Sequence, residues 1–524
     1  MTDGLSFGRI FETMLTAVDP DLPATIHGDA VTSWREFDRR TSALAAACHA
    51  AGAVPGDRIA HLMRNSPAYL ETTVAGFKAR LVHVNINYRY TGEELFYILD
   101  NSAAAVLVYD AEFAELVDSI RDRLETKLFV QVGGKTAEFA QDFDRVARSG
   151  AVLVPQEHDY GDMLFIYTGG TTGMPKGVMW EQGALWGIMA PTANPGGVPP
   201  ATLEDLYGLI RAGVGRNRSL VMPPLMHGTG MIIALSTLAR GGTVVTVPGD
   251  NFEPERAVEV CAARGCDYAV IVGDAFGRPL LRALDAGFGS ISSLNVMISS
   301  GTMWSAETKA GLLRHAPTMM VVDALGSSEG LGLGASVQTS DNAGAATKFV
   351  ADGNTLVLGE DMKPVAPGSG VMGKVARSGL IPLGYWRDEA KSAQTFVTVD
   401  GRRYSMPGDF AVVEADGSFT LLGRGSQCIN TAGEKVFPEE VEEALKTHPA
   451  IDDALVFGVD DEKWGQAVTA VVEAHGPVES EELRAHVRRT LAGYKTPKRV
   501  IVVAKVPRAP NGKADYAAAR EMAG

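Results

Sequence analysis

At 524 residues the chain is longer than one hydrophobic core usually serves, so two or more domains are expected. Its 46% hydrophobic and 21% charged residues are those of an ordinary globular protein, and a formal charge of -15 argues against wholesale nucleic-acid binding, which draws on a basic surface. Four cysteines contain no C-x-x-C pair, no basic-then-apolar signal opens the chain, and no apolar run is long enough for a bilayer. A reducing cytoplasm fits these features, with peripheral membrane contact and homodimerisation left open.

Residues 77–110, "FKARLVHVNINYRYTGEELFYILDNSAAAVLVYD", alternate a strand, a helix opened by Thr91 with Glu94 three residues on, and a second strand. The strand formers "DMLFIYT" then lead into "YTGGTTGMPKGVMW", residues 167–180. Its glycines let backbone N–H groups turn toward an anion, while threonine hydroxyls and Lys176 add donors, so the loop reads as phosphate-binding. It is not a Walker loop, because the lysine follows a proline, and the near-match "VGGKT" at 132–136 has Phe129 where the first glycine belongs. A P-loop kinase or ATPase is therefore disfavoured.

Residues 194–219, rich in Pro and Gly, read as a loop with one short helix. The strand-helix alternation returns at 257–273 and 292–326, which argues for layered α/β architecture with largely parallel sheets. "GLGLGA" at 330–335 fits a dinucleotide-binding turn, but no acidic residue follows about 20 positions on at a strand end, so an oxidoreductase is set aside. After Gly423 the texture turns to short, highly charged strands and helices, a small α+β unit of about a hundred residues. Gly423, Gly425 and Ser426 around Arg424 read as a flexible joint.

In order along the chain stand "YTGGTTGMPKG" (167–177), "DALGSSEG" (323–330), "GYW" (384–386), "PGD" (407–409), "GRGSQCINTAGEKVFPEEVEE" (423–443) and "PRAPNGKADY" (507–516). By these motifs the sequence resembles acyl-CoA synthetases of the adenylate-forming superfamily over nearly its whole length, in a tone close to fatty-acid and steroid side-chain ligases. The resemblance implies a large N-terminal AMP- and acyl-binding domain (1–423), a hinge (424–426) and a mobile C-terminal lid (427–524). It also implies ATP, Mg²⁺ and coenzyme A, and a two-step reaction through acyl-AMP. The rival reading shares the first step but passes the acyl group to an amine or a carrier-protein thiol.

Site residues follow from the same resemblance. Thr168, Gly169, Gly170, Thr171, Thr172 and Lys176 would close over the β- and γ-phosphates. Glu329 would help hold Mg²⁺, with the Ser328 hydroxyl beside it. Asp323, Ala324 and Leu325 would flank the adenine, Ser300 and Gly301 would give backbone contacts, and Asp409 and Arg424 would reach the ribose or phosphate. Lys513 would lie between the attacking carboxylate and the α-phosphate, and His227 near the carboxylate-binding end. Met222, Pro224, His227, Met231, Met303 and Leu325 are expected to line an apolar acyl pocket, and Gly433 with Glu434 the passage for coenzyme A. Three positions depart from the family's habit: Leu325 where an aromatic residue commonly stacks on adenine, Ser426 at the pivot, and Asn430 in place of a lysine.

Overall fold

The computed structural model describes residues 5–168, 174–302, 304–431, 434–461, 465–509 and 512–523. Two compact units emerge, one of residues 1–271, 283–297 and 379–396 and another of 272–282, 298–378 and 397–524. No helix among the described residues is long and apolar enough to cross a membrane.

The first unit holds an eight-stranded sheet in the order Gly384–Tyr385, Lys176–Glu181, Met163–Thr168, Val82–Asn85, Arg58–Leu62, Ala104–Asp110, Leu128–Val132 and Gln141–Asp142. Its central strands run parallel, and Val84, Leu107 and Phe165 are fully or almost fully buried, as a sheet covered on both faces requires. Helix Gly92–Ser102 begins as expected: the Glu94 carboxylate accepts from the Thr91 N–H at 2.8 Å. The strand before it starts only at Val82, because Phe77 and Lys78 finish helix Pro67–Lys78, whose proline occupies the first turn. The 194–219 segment holds helix Leu203–Arg211 and ends in strand Arg218–Val221. That strand pairs in parallel with Thr243–Thr246 on one side and Tyr268–Ile271 on the other, within a second sheet.

In the second unit, strand Met320–Ser327 turns back at once into Gly330–Gln338, an antiparallel hairpin. "GLGLGA" is thus part of a strand and opens no helix, which removes the dinucleotide reading on structural grounds. Thr355–Leu358, Met372–Ser378, Arg402–Ser405, Asp409–Val413 and Phe419–Arg424 form an antiparallel sheet that the sequence reading had not separated from the parallel layers. Its strands are short and joined by Gly- and Pro-rich turns, so the period-2 signal is brief. The C-terminal residues build a further sheet from Ile429–Thr431, Glu434–Val436, Ile451–Asp461, Gly465–Ala474 and Arg499–Val503. Val441, Leu445, Val456, Val468 and Leu483 form its own core, so the small α+β unit expected after Gly423 is present.

Candidate active site

In the first unit, Thr168 and Lys176 are cross-strand partners, so the expected phosphate loop is the connection of an antiparallel hairpin. Gly169, Gly170, Thr171 and Thr172 lie outside the described residues. Lys176 is paired with Asp388, beside a cavity of about 180 Å³ also lined by Tyr97, Asn101, Trp386 and Arg387. The hydrogen bond from Lys176 is the leading reason that the Asp388 carboxyl is held below its ordinary range.

Two amides that the sequence reading passed over, buried Asn85 and half-buried Asn65, frame this end of the unit. Asn85 accepts from the Tyr167 N–H at 2.7 Å and donates to Tyr167 O at 2.9 Å and Met226 O at 2.7 Å. Asn65 accepts from the Leu225 N–H at 2.6 Å and donates to Pro223 O at 3.0 Å. Together they fix the 222–227 turn, which delivers His227 to the N-cap of helix Gly228–Ala239. His227 and Pro224 are half-buried there, whereas Met222 and Met231 are buried. Met303, the remaining methionine expected in the acyl pocket, lies outside the described residues. The one signal for Asn85 in the sequence is a polar residue closing the strand-forming run "LVHVN", which His83 already interrupts.

In the second unit, Ser300 is half-buried at the end of strand Val296–Ser300, and Gly301 follows it with φ +99°. Asp323 lies on the strand of the hairpin and pairs with fully buried Lys309 at 3.0 Å, whose ammonium also donates to Thr347 Oγ1 at 2.6 Å. Burial raises the Asp323 pKa and Lys309 opposes the rise. Ala324 is in register with Ala335, and half-buried Leu325 packs against the Leu333, Phe349 and Phe419 core.

Ser328 and Glu329 make the hairpin turn, both half-buried, and Ser405 Oγ donates to Glu329 O at 2.5 Å. Asp409 and Arg424 face one another across adjacent strands, with Nε donating to Oδ1 at 3.2 Å. Burial pulls the Arg424 pKa down, but Asp409 and Glu329 outweigh it and the net shift is upward. Lys513 sits in a tight turn closed by the Ala509 N–H to Lys513 O bond at 2.8 Å. Arg508 braces that turn by donating to Gly512 O at 3.0 Å and to Asp453 Oδ1 at 2.6 Å.

By surface area Lys513 is exposed, yet groups crowd its charged end. Desolvation is the first cause lowering its pKa and Arg424 the second, opposed by Glu329 and Asp409. The structure therefore brings Glu329, Asp409, Arg424 and Lys513, distant in sequence, into one electrostatic neighbourhood. Glu434 is exposed on strand Glu434–Val436, while Gly433 and the side chains of Ser426 and Asn430 lie outside the described residues.

This donor set suits a divalent cation that arrives with a nucleotide. Such an ion takes one or two carboxylates and completes its shell with phosphate oxygens and water. Half-buried Glu329 beside the Ser328 hydroxyl fits that need, and among the described residues no group of three or more His, Cys, Asp or Glu forms a protein-only cage.

The chain belongs to the AMP-binding enzyme family: the family profile matches residues 14–386, and that of the AMP-binding enzyme C-terminal domain matches 440–513. Among its relatives, the medium-chain acyl-CoA ligase Mig of Mycobacterium avium is 37% identical over 97% of this chain and 96% of its own length. The 3-oxocholest-4-en-26-oate–CoA ligase of Rhodococcus rhodochrous is 36% identical over 99% of this chain and 96% of its own. The fold is shared with the anthranilate CoA ligase AuaEII solved with anthranoyl-AMP, at a TM-score of 0.85 and 22% identity over 99% of this chain and 97% of that one.

Proposed function

We propose that the protein is an ATP-dependent acyl-CoA ligase that activates a hydrophobic carboxylic acid. In the first step a carboxylate oxygen attacks the α-phosphorus of ATP and pyrophosphate leaves. In the second, the sulfur of coenzyme A attacks the acyl carbon and AMP leaves. The observation that carries this reading is the convergence of Glu329, Asp409, Arg424 and Lys513, within a family whose ligases use ATP and coenzyme A.

Asp409 accepts from the ribose hydroxyls while Arg424, held in register opposite it, reaches the ribose or phosphate. Lys513, in its cationic form, offsets the repulsion between the incoming carboxylate and the α-phosphate. Lys176 and the threonines of its loop receive the leaving pyrophosphate. Glu329, with Ser328, holds Mg²⁺, which when bound draws off negative charge from the phosphate oxygens. Residues 424–426 serve as the hinge and 427–524 as the lid, with Gly433 and Glu434 lining the way in for coenzyme A. Buried Met222 and Met231 give the acyl end an adaptable apolar wall, and a medium-chain and a steroid-acid ligase stand at nearly equal identity among the relatives.

The test is product analysis with ATP and a panel of fatty, steroid side-chain and aromatic acids, with and without coenzyme A. AMP, pyrophosphate and an acyl-CoA are expected. ADP and orthophosphate would overturn the assignment, and transfer to amines without any thioester would give the site to the amide-forming rival.

A further inference from the structure

The phosphate-loop lysine has a counter-charge that is unusually well fixed. Trp386 donates its backbone N–H to Gly177 O at 2.8 Å and its indole N–H to Asn101 O at 2.9 Å, so the segment carrying Asp388 is tied beside the strand that begins at Lys176. Arg387, next to it, adopts φ +54°, a sparsely populated conformation for a residue with a side chain. Asp388 is also the N-cap of helix Glu389–Thr395: its Oδ1 accepts from the Lys391 N–H at 2.9 Å, and its Oδ2 faces Lys176. One carboxylate oxygen thus fixes the side chain and the other addresses the ammonium.

The pair stands at the cavity that also carries Arg387, and both side chains remain about 30% exposed, at 32% for Lys176 and 27% for Asp388. An ion pair in that setting is weak enough to exchange partners. Taking Lys176 as the phosphate ligand of the ligase reading above, we propose that Asp388 is its positioning residue: the carboxylate holds the ammonium at the cavity until ATP takes it, and reclaims it as pyrophosphate leaves. The counter-carboxylate thereby weakens the hold on both polyphosphates and speeds release of the product.

The capping role makes the test clean, because Asn and Ser cap helices about as well as Asp. In the full-length enzyme, Asp388→Asn and Asp388→Ser should each tighten inhibition by pyrophosphate and lower KM for ATP about two- to fivefold, the size of a part-exposed ion pair. KM for the carboxylate and Tm should hold. Lys176→Met should weaken ATP and pyrophosphate, and adding Asp388→Asn to it should change nothing further. If Lys176→Met weakens both ligands while neither Asp388 variant shifts pyrophosphate inhibition, the positioning role is wrong and the phosphate reading stands. If the Asp388 variants raise both KM values and lower Tm, the residue is structural and the proposal is overturned. If Lys176→Met leaves ATP untouched, the reading of the loop fails first and the proposal with it.

Discussion

Two lysines in the second unit show how the same side chain is put to opposite uses. Lys309 has no exposed surface and spends its ammonium on Asp323 and Thr347. Lys513 is exposed, stands between one cation and two carboxylates, and has its pKa lowered. A sealed, paired charge holds a strand in place. An ammonium crowded by charges of both signs, on a side chain that still reaches the surface, is not committed to one partner in that way, and the difference lies in what surrounds it.

That contrast can be broken most forcefully at Lys309. Lys309→Met should strand the Asp323 carboxylate in the interior and destabilise the protein by about 3 to 5 kcal/mol, read as a large fall in Tm. If Tm barely moves, the pair is not structural. Lys513→Ala should behave in the opposite way: Tm holds, acyl-AMP formation slows on the order of a hundredfold, and conversion of supplied acyl-AMP to acyl-CoA is largely spared. Equal loss in both half-reactions would merge the two lysines into one class.

A smaller effect is expected at Gly423, next to Arg424 in the open cluster. Its φ is +132°, and a Cβ there would stand 2.2 Å from Glu439 Oε2. Gly423→Ala should cost about 1 to 3 kcal/mol in denaturant unfolding, with the lower end reached if the Glu439 carboxylate swings aside.

Glu442 is the intermediate case, buried like Lys309 but without so close a counter-ion. Its Oε1 accepts from the Val456 N–H at 2.9 Å and from Tyr516 OH at 3.2 Å. Burial first of all pushes its carboxyl up to about 7, against the pull of Lys446. A folded pKa above the unfolded one means that the folded state binds the proton more tightly. Stability should therefore be fully present below about pH 4.5 and decline as pH rises through about 7. Glu442→Gln should flatten that decline by at most about 1.4 kcal/mol per pH unit, measured as unfolding free energy from pH 5 to 8.

Much of this was legible in the chain because the relevant signals are local. Thr91 and Glu94 lie three residues apart and their capping contact is the one observed. The strand that ends at Thr168, the "DALGSSEG" turn and the small C-terminal unit likewise reveal themselves within short windows. What stayed hidden depends on distance in sequence. Asp388 meets Lys176 across 212 positions, and Asn85 meets Met226 across 141, with no spacing rule to announce either. Asp323 is expected from the sequence only as a neighbour of the adenine, because nothing in "DALG" shows that Lys309 is packed against it. The antiparallel sheet was missed for a related reason: its partners are set by turns whose geometry a four- or five-residue strand does not encode.

Asn85 has a consequence for how such an enzyme changes its diet. One amide group ties the end of the phosphate-loop strand to the turn that presents His227, through backbone atoms alone on the far side of each bond. Side chains at 222, 224 and 231 therefore hang from a frame whose spacing they do not set. On the acyl-pocket reading proposed above, substrate preference would drift by exchange of those side chains while the gap between the nucleotide end and the acid end keeps its gauge, much as a vice accepts new jaws without resetting its screw.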